Sequence, residues 1–297
     1  MARLTQRKLL SLVAILTLIW GTNWVLFPMA VEEVSVWTFR SICVLGAGGL
    51  LLVFARMRGV SLFVPGNERR PLALAGLTYL AVWNAASVYA AVLLPSGQAA
   101  MIGFSMPVWA SLLAWLVLGQ RPTARVFVSL LLATLGIGLL AYAGRHAFAS
   151  APLGFALGLT GAFGWAIGTT ILKRSRVTVP PLVATAWQLV IAGIPLTIIA
   201  LATGTRELFM PTWTSIAVIG YVTIFSMAVG NVAWFQILDV LPPTISGLAI
   251  VMVPIVAMVT GALVRSEPLG ALQVSAMVCC AAAMALVLLN RTATAPG

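Results

Sequence analysis

Ten apolar runs of about twenty residues constrain the fold of this 297-residue chain more than any other feature. At ~1.5 Å rise per residue, an α-helix of this length crosses the ~30 Å hydrocarbon layer of a bilayer. The sequence therefore predicts an all-α membrane protein with ten transmembrane helices, near 9–29, 34–55, 71–93, 96–118, 123–143, 152–172, 181–203, 213–238, 243–264 and 269–289. The composition agrees, because 8% of the residues are charged, against about 25% in soluble domains.

The distribution of basic residues predicts the orientation of these helices. If the N-terminus is cytoplasmic, most Lys and Arg residues lie in inner segments: Arg3, Arg7, Lys8, Arg56, Arg58, Arg69, Arg70, Arg121, Arg125, Lys173, Arg174, Arg176 and Arg291. The outer segments carry Arg145, Arg206 and Arg265. Because cytoplasmic loops are enriched in Lys and Arg, we expect both termini in the cytoplasm (N-in/C-in). Lipid head groups then explain the net charge of +11, and no nucleic-acid partner is expected.

An internal repeat divides the chain into two halves. Adding 147 to four positions of the first half gives the matching feature of the second: Asn84 gives Asn231, Leu94-Pro95 gives Leu241-Pro242, Pro107 gives Pro254 and Gln120 gives Glu267. Paired hydrophobic segments interrupted by proline mark the central site of many transporters. We expect two five-helix repeats, over 1–147 and 148–297. Since five is odd, the second repeat is inverted in the membrane, which favours carriage by alternating access.

Aromatic and polar side chains near the middle of the spans are the candidates for substrate contact. A polar side chain in lipid is costly unless it faces protein or water, so these residues are expected to point inward. The candidates are Trp20, Asn23, Trp24, Tyr79, Trp83, Asn84, Ser87, Trp165, Thr169, Trp187, Asn231 and Trp234. A wall of this kind suits a small zwitterion or an organic cation.

Each candidate also has a structural interpretation. Trp20 and Trp24 are close enough to a span end to act as head-group anchors, and the deeper rings could pack against other helices. Asn84 and Asn231 could hydrogen-bond between helices instead of contacting a substrate.

Arg40 is the one charge that the sequence places inside a span, about 9 Å from its outer end at ~1.5 Å per residue. In one interpretation it extends outward or pairs with Glu32 or Glu33, and in the other it receives a substrate carboxylate. Pro107 and Pro254 each remove a backbone hydrogen bond, so we expect helix kinks there. The carbonyls freed by a kink must face protein or a wet cavity.

The glycine series of the sixth span and the plain composition of two other spans predict packing roles. Gly154, Gly158, Gly161, Gly164 and Gly168 leave one face thin, for close helix contact or for sliding. The fifth and tenth spans carry almost no polar residues and are expected to be peripheral supports or a dimer surface. The protein is accordingly expected to be a monomer or a weak homodimer.

Several kinds of chemistry lack the residues they need. No Gly-rich loop is followed by Lys and Ser or Thr, and His146 lies in an outer loop. The cysteines lie inside apolar runs, where they act as small packing residues. We therefore expect no enzyme activity, no cofactor and no metal. No carboxylate lies at mid-span, and Asp239 is near a span end, which favours facilitated movement over proton coupling.

Motifs of the first half resemble the EamA-type repeat of the drug/metabolite transporter superfamily. The segments that carry the resemblance are Ile19-Trp20-Gly21-Thr22-Asn23-Trp24, Thr38-Phe39-Arg40, Met106-Pro107-Val108-Trp109 and Leu118-Gly119-Gln120-Arg121. In that pattern Gly-Glu-Arg usually closes the fourth span. Here Gln120 replaces the acid, whereas Glu267 keeps it in the second half.

Two further segments, 161–166 and 266–269, are similar to the branch of bacterial aromatic amino-acid exporters. The resemblance implies a multi-pass protein of the bacterial inner membrane, with a central cavity lined by spans one to four and six to nine. The function expected is export of amino acids, possibly aromatic ones, and of related metabolites. The alternative is a multidrug or quaternary-ammonium exporter of the same superfamily.

Overall fold

The computed structural model describes residues 6–203, 212–267 and 269–288, which form α-helices, π-helical turns and short connections. Arg3, Arg206 and Arg291, which entered the orientation argument, lie outside the described residues. The α-helices are α1 (Gln6–Val31), α2 (Val36–Met57), α3 (Gly66–Ala75), α4 (Val82–Leu93), α5 (Ser96–Gly103), α6 (Met106–Leu118), α7 (Ala124–Ala143), α8 (Arg145–Ser150), α9 (Pro152–Ser175), α10 (Pro181–Thr203), α11 (Trp213–Tyr221), α12 (Asn231–Val240), α13 (Pro243–Ala249), α14 (Val253–Arg265) and α15 (Ala271–Leu288).

Eight helical stretches of the described chain are long and apolar enough to cross a membrane. They are Arg7–Val31, Val36–Met57, Gly66–Leu93, Ser96–Leu118, Ala124–Ala143, Pro152–Ser175, Pro181–Thr203 and Trp213–Val240. The ninth predicted span comprises α13 and the shorter apolar helix α14, and the tenth corresponds to the shorter apolar helix α15. The protein is thus all-helical in its described part, with eight candidate membrane spans.

Two π-helical turns occupy equivalent positions in the two halves. Gly76–Ala81 joins α3 to α4, and Val222–Gly230 joins α11 to α12. Such turns are rare and occur often at functional sites, because they widen the helix and change the direction of its side chains. Each is followed by a fully buried asparagine whose Nδ2 donates to the carbonyl four residues earlier. The distances are 2.8 Å for Asn84 to Leu80 and 2.9 Å for Asn231 to Met227.

Pro107 and Pro254 lie just after breaks in their spans rather than at bends within one helix. The helix α5 ends at Gly103 and α6 begins at Met106, so Pro107 occupies the first turn of α6. Pro254 occupies the same place in α14. Proline is tolerated in a first turn because the N–H that it lacks has no partner there in any helix. The physical consequence is a complete interruption of the helix instead of the expected kink.

The two halves make equivalent contacts with each other. Helix α1 packs on α14 and its counterpart α9 packs on α6; likewise α5 packs on α14 and α13 packs on α6. Helix α2 packs on its own counterpart α10, and α7 packs on α15. A reciprocal pattern of this kind is that of an interface with a pseudo-two-fold axis. The α7–α15 pair lies at the edge, where Leu131 and Val278 are more than half exposed.

The glycines of α9 allow close contact with the span formed by α3, its π turn and α4. A Cβ at Gly168 would overlap the Cβ of Tyr79, and one at Gly164 would lie 2.7 Å from the carbonyl oxygen of Thr78. The thin face is therefore used for close helix packing, which is one of the two roles that the glycine spacing predicts.

Two carboxylates connect the halves near opposite ends of α2. Glu68 accepts from the hydroxyl of Thr178 at 2.6 Å and from its backbone N–H at 2.9 Å. Glu33 accepts from the hydroxyl of Ser215 at 2.5 Å and from the N–H of Thr212 at 3.2 Å. The Ser215 hydroxyl, then the N–H and hydroxyl of Thr212, lower the pKa of Glu33. Its contribution to stability is therefore present above the pKa of the unfolded chain and is lost as pH falls through the lowered value.

A difference between the halves explains why Gln120 stands where the repeat usually has an acid. Glu267 Oε1 accepts from the N–H of Ser96, the first residue of α5, at 3.1 Å. The counterpart of Ser96 is Pro243, the first residue of α13, and proline has no N–H to donate. Position 243 therefore offers no N–H to the side chain at position 120, and Gln120 is exposed.

We predict that Glu267→Ala lowers the free energy of unfolding by about 1 kcal/mol, because it removes the cap of α5. The matched control is Gln120→Ala, which removes the equivalent side chain and should change stability by less than about 0.5 kcal/mol. Thermal and denaturant unfolding of the purified protein in detergent measure both. Equal effects of the two substitutions would contradict the capping role.

Candidate functional site

An aromatic cluster fills the middle of the molecule between the two halves. The ring centroids of Trp83 and Trp165 are 4.9 Å apart, those of Trp20 and Trp165 5.3 Å, and those of Trp165 and Trp234 5.7 Å. Tyr79 lies 4.0 Å from Trp165, and Trp24 lies 6.0 Å from Trp83. Most of these pairs are edge-to-face, an arrangement that stabilises by about 0.5–1.5 kcal/mol per pair beyond the area buried.

Polar groups at the same depth cross-link the halves. Tyr79 Oη donates to Asn231 Oδ1 at 2.9 Å, and Asn23 Nδ2 donates to Ser226 Oγ at 2.7 Å. Trp20 Nε1 donates to the carbonyl oxygen of Ser226 at 3.2 Å. Each bond joins a residue of the first half to one of the second, so any motion that separates the halves here must break them.

The cluster encloses a small central cavity of about 20 Å³. Seven of the candidate residues line it: Trp20, Asn23, Trp24, Trp83, Asn84, Trp165 and Asn231. A volume of this size is enough for about one water molecule, so the chamber is closed around its own side chains in this conformation.

Buried polar atoms with no hydrogen-bond partner in the protein gather in and next to this cavity. They are Nε1 of Trp165 and of Trp234, Nη1 of Arg40, Oδ1 of Asn23 and of Asn84, and Oγ1 of Thr169. An unpaired buried polar group costs about 1–3 kcal/mol, and in native proteins such groups are rare. The set contains both donors and acceptors, so the cavity presents mixed hydrogen-bonding capacity to whatever enters it.

Arg40 is fully buried beside the cavity and has no carboxylate partner among the described residues. Its Nε donates to the carbonyl oxygen of Asn84 at 3.0 Å, and its Nη2 donates to Ser87 Oγ at 3.2 Å. The guanidinium carbon lies 4.1 Å from the centre of the Phe27 ring. The suggested pairing with Glu33 is not formed, because that carboxylate binds Thr212 and Ser215 instead. Arg40 does not extend to the surface either.

Five candidates lie outside the cavity wall, at different distances from it. Tyr79 packs against the ring of Trp165, which is part of the wall. Ser87 is behind the wall as the partner of Arg40, and Thr169 is buried one turn beyond Trp165 on α9. Trp234 packs against the rings of Trp20 and Trp165. Trp187 lies apart from the cluster, since its Nε1 donates to the carbonyl oxygen of Leu62 at 2.9 Å. The structure thus brings eleven of the twelve candidates together and places Trp187 elsewhere.

Five residues that line the cavity were not among the candidates: Phe27, Leu80, Phe104, Ser226 and Met227. The repeat could have pointed to Ser226, because the 147-residue offset matches it to the candidate Tyr79. The same offset matches Leu80 to Met227, so these two cavity residues are equivalent in the two halves. Phe104 faces the cavity from the interruption between α5 and α6, a change of direction that hydrophobic periodicity does not reveal. Among the described residues, no group of three or more His, Cys, Asp or Glu side chains could hold a metal ion.

The all-helical fold, the reciprocal contacts of its halves and the closed polar chamber between them define a multi-pass membrane transporter. The chain belongs to the EamA-like transporter family, which matches residues 7–142 and again residues 152–289. It is a multi-pass protein of the inner membrane.

Known relatives agree with this assignment. The chain is 28% identical over 281 residues to the uncharacterized inner membrane transporter YedA of Escherichia coli K12, covering 93% of this chain and 89% of that protein. It is 26% identical over 270 residues to the uncharacterized transporter YvbV of Bacillus subtilis, covering 91% and 88%. A solved crystal structure aligns with a TM-score of 0.77 at 16% identity, over 99% of this chain and 100% of that chain, which shows the fold alone.

We predict that Ser87→Ala lowers the free energy of unfolding by about 1.5–3 kcal/mol, because a second nitrogen of the buried Arg40 then lacks a partner. The control is Ser129→Ala, which removes a buried hydroxyl that donates to a backbone carbonyl in the peripheral α7. A neutral hydrogen bond inside a membrane protein averages about 0.6 kcal/mol. Unfolding in mixed micelles with increasing denaturing detergent compares the two. Equal losses would show that Ser87 does not stabilise the guanidinium.

Proposed function

We propose that the chain exports amino acids, aromatic ones in particular, and related small metabolites from the bacterial cytoplasm. The observation that carries the proposal is the set of unpaired donors and acceptors around a chamber walled by tryptophan rings. A zwitterion supplies both partners, since its carboxylate accepts hydrogen bonds and its ammonium donates them. An aromatic side chain would then replace ring–ring contacts of the closed chamber with ring–substrate contacts.

The proposal assigns roles to the individual groups. The carboxylate is received by Arg40 Nη1 and the free indole N–H groups, where a charge-assisted bond compensates the buried guanidinium. The ammonium is received by Oδ1 of Asn23 and Asn84. The proposed substrate-binding set is Trp20, Asn23, Trp24, Tyr79, Trp83, Asn84, Ser87, Trp165, Thr169, Asn231 and Trp234. We leave Trp187 out of it because it bonds to Leu62.

Transport in this proposal follows alternating access between two inverted repeats, 1–147 and 148–297, with ten spans and both termini in the cytoplasm. The reciprocal contacts of the halves support it, because a pseudo-symmetric interface has two nearly equivalent packings. Movement is facilitated, down the substrate gradient. Each chain holds a complete chamber, so a monomer suffices and any homodimer is weak.

The second candidate is export of quaternary ammonium compounds or other drugs. A cage of tryptophan rings favours it, since such rings attract cations by about 0.5–2 kcal/mol each. The buried positive charge of Arg40 next to the cage opposes a permanent cation. For this reason we place the zwitterion first.

The decisive experiment is uptake of labelled amino acids into proteoliposomes that contain the purified protein. Phenylalanine and tryptophan are expected to move and to compete with each other, whereas tetraphenylphosphonium and tetramethylammonium should not inhibit. Inhibition by the cations with no amino-acid flux would reverse the order of the two candidates. Absence of flux for every amino acid, with folded protein, would remove the leading one.

We predict that Trp83→Ala and Trp165→Ala each lower the flux at least tenfold, because each deletes a wall of the chamber. The matched control is Trp115→Ala, since Trp115 is half exposed on the outer surface of α6. All three proteins should elute as monodisperse species in size-exclusion chromatography. Normal flux in the first two would return these rings to a purely structural role.

Fusion of reporter proteins tests the predicted orientation of the chain in the membrane. Green fluorescent protein at the C-terminus should fluoresce, and alkaline phosphatase there should be inactive. The same pair placed between Glu32 and Val34, in the connection from α1 to α2, should give the reverse result. Active phosphatase at the C-terminus would refute the predicted topology.

A further inference from the structure

A second cavity, of about 240 Å³, lies at the end of the molecule where α9 ends and α10 begins. We call it the vestibule and define it by Lys173, Gln188, Phe235 and Asp239, which line it together with Arg176 and aliphatic side chains. It is more than ten times larger than the central chamber and approaches the ~300 Å³ lower bound of small-molecule sites.

The ring of Tyr79 contacts one residue of the vestibule and one residue of the central chamber. The ring of Tyr79 lies 5.6 Å from Phe235 on the vestibule side and 4.0 Å from Trp165 on the chamber side. Its hydroxyl is held by Asn231 at 2.9 Å.

The two ends of the molecule differ at this point despite the repeat. Helices α9 and α12 frame the vestibule, and their counterparts are α1 and α4. Helices α1 and α4 pack directly on each other, with Trp24 against Trp83. The space between α9 and α12 therefore has no equivalent between α1 and α4, and it lies at the end that carries the basic segment from Lys173 to Arg176.

The chemistry of the vestibule combines opposite charges with an aromatic floor. Lys173 is half-buried on α9, and Asp239 on α12 is close enough to interact with it electrostatically. Gln188 is fully buried, and its Oε1 has no hydrogen-bond partner in the protein. Its Nε2 is already used by the carbonyl oxygen of Ala184 at 3.2 Å, so the free atom is an acceptor.

We propose that the vestibule is a distinct recognition site for a zwitterionic amino acid with an apolar side chain. Lys173 binds the carboxylate of the ligand, and Asp239 and Gln188 Oε1 accept hydrogen bonds from its ammonium. The ring of Phe235 packs against the apolar side chain of the ligand. The site stands apart from the central chamber and shares no residue with the substrate-binding set. Its place on the transport path rests on the proposed export function. Export loads the substrate from the cytoplasm, and the proposed topology puts this end of the molecule on the cytoplasmic side.

The test uses L-phenylalanine as substrate in proteoliposomes, with phenethylamine and 3-phenylpropionate as inhibitors. Phenethylamine lacks the carboxylate and 3-phenylpropionate lacks the ammonium. Lys173→Met should raise the KM for L-phenylalanine and the inhibition constant of 3-phenylpropionate about tenfold, as expected for loss of one charge-assisted bond, and leave phenethylamine within twofold. Asp239→Asn should raise the inhibition constant of phenethylamine about tenfold and leave that of 3-phenylpropionate within twofold. In both variants kcat should stay within twofold.

The matched control is Arg174→Met, which removes the neighbouring exposed charge without touching the vestibule. It should leave all three constants unchanged. If Lys173 and Asp239 served only to stabilise the fold, their substitution would lower thermal stability. It would then change the inhibition constants of the two inhibitors by the same factor. Should Lys173→Met fail to fold, Asp239→Asn alone carries the test, because Asp239 is exposed.

The outcomes separate this site from the transport function. Normal flux with unchanged KM and unchanged inhibitor selectivity in both variants overturns the vestibule site and leaves the proposed function intact. If the wild-type protein moves no L-phenylalanine, export fails, and calorimetric binding of the three compounds to the purified protein decides the vestibule. The same charge-selective pattern in binding would support the site, and no binding would overturn it.

Discussion

Every polar group inside the bilayer must find a partner within the protein, because hydrocarbon offers none. This constraint separates the two surfaces of the helices. Leucine and valine side chains such as Leu131 and Val278 remain exposed on the outside, whereas Asn84, Gln188 and Arg40 are fully buried. Of the ten buried side-chain atoms that have no partner among the described residues, seven belong to residues in or near the chamber and the vestibule. Where a protein otherwise satisfies its polar groups, such a concentration identifies the surface meant for a solute.

The two halves of the repeat satisfy their buried polar groups in similar ways. Equivalent helices exchange contacts across the pseudo-two-fold axis, and each π turn precedes an asparagine whose amide binds the same backbone position. The departures from symmetry are therefore informative. Glu267 accepts from the N–H of Ser96, whereas its counterpart Gln120 has no such bond to Pro243, which lacks an N–H. The hollow end between α9 and α12 has no open counterpart between α1 and α4.

Much of this arrangement is readable in the sequence, and the limits have physical causes. Span length, the 147-residue offset and the cost of mid-span polar groups predict twelve candidate residues, of which seven line one chamber. The prediction for Trp187 was wrong because helix periodicity gives the direction of a side chain but not its partner. Its indole N–H donates to the carbonyl oxygen of Leu62 instead. For Arg40 the sequence left open a surface position or pairing with Glu32 or Glu33, and contact with a substrate carboxylate; Asn84, Ser87 and Phe27 hold it inside, away from the surface. Local sequence also cannot show that a proline span will separate into two helices.

The closed chamber suggests how such a protein avoids leaking. With about 20 Å³ of free space, the rings of Trp20, Trp83 and Trp165 are one another's partners, and hydrogen bonds such as that between Tyr79 and Asn231 tie the halves together. Opening an empty chamber would break these contacts and expose buried groups without replacement. A substrate that supplies both a ring and paired charges replaces what is lost, so it lowers the free energy of the open and occluded states relative to the empty ones. The same side chains can thus bind the solute and keep the unoccupied path shut.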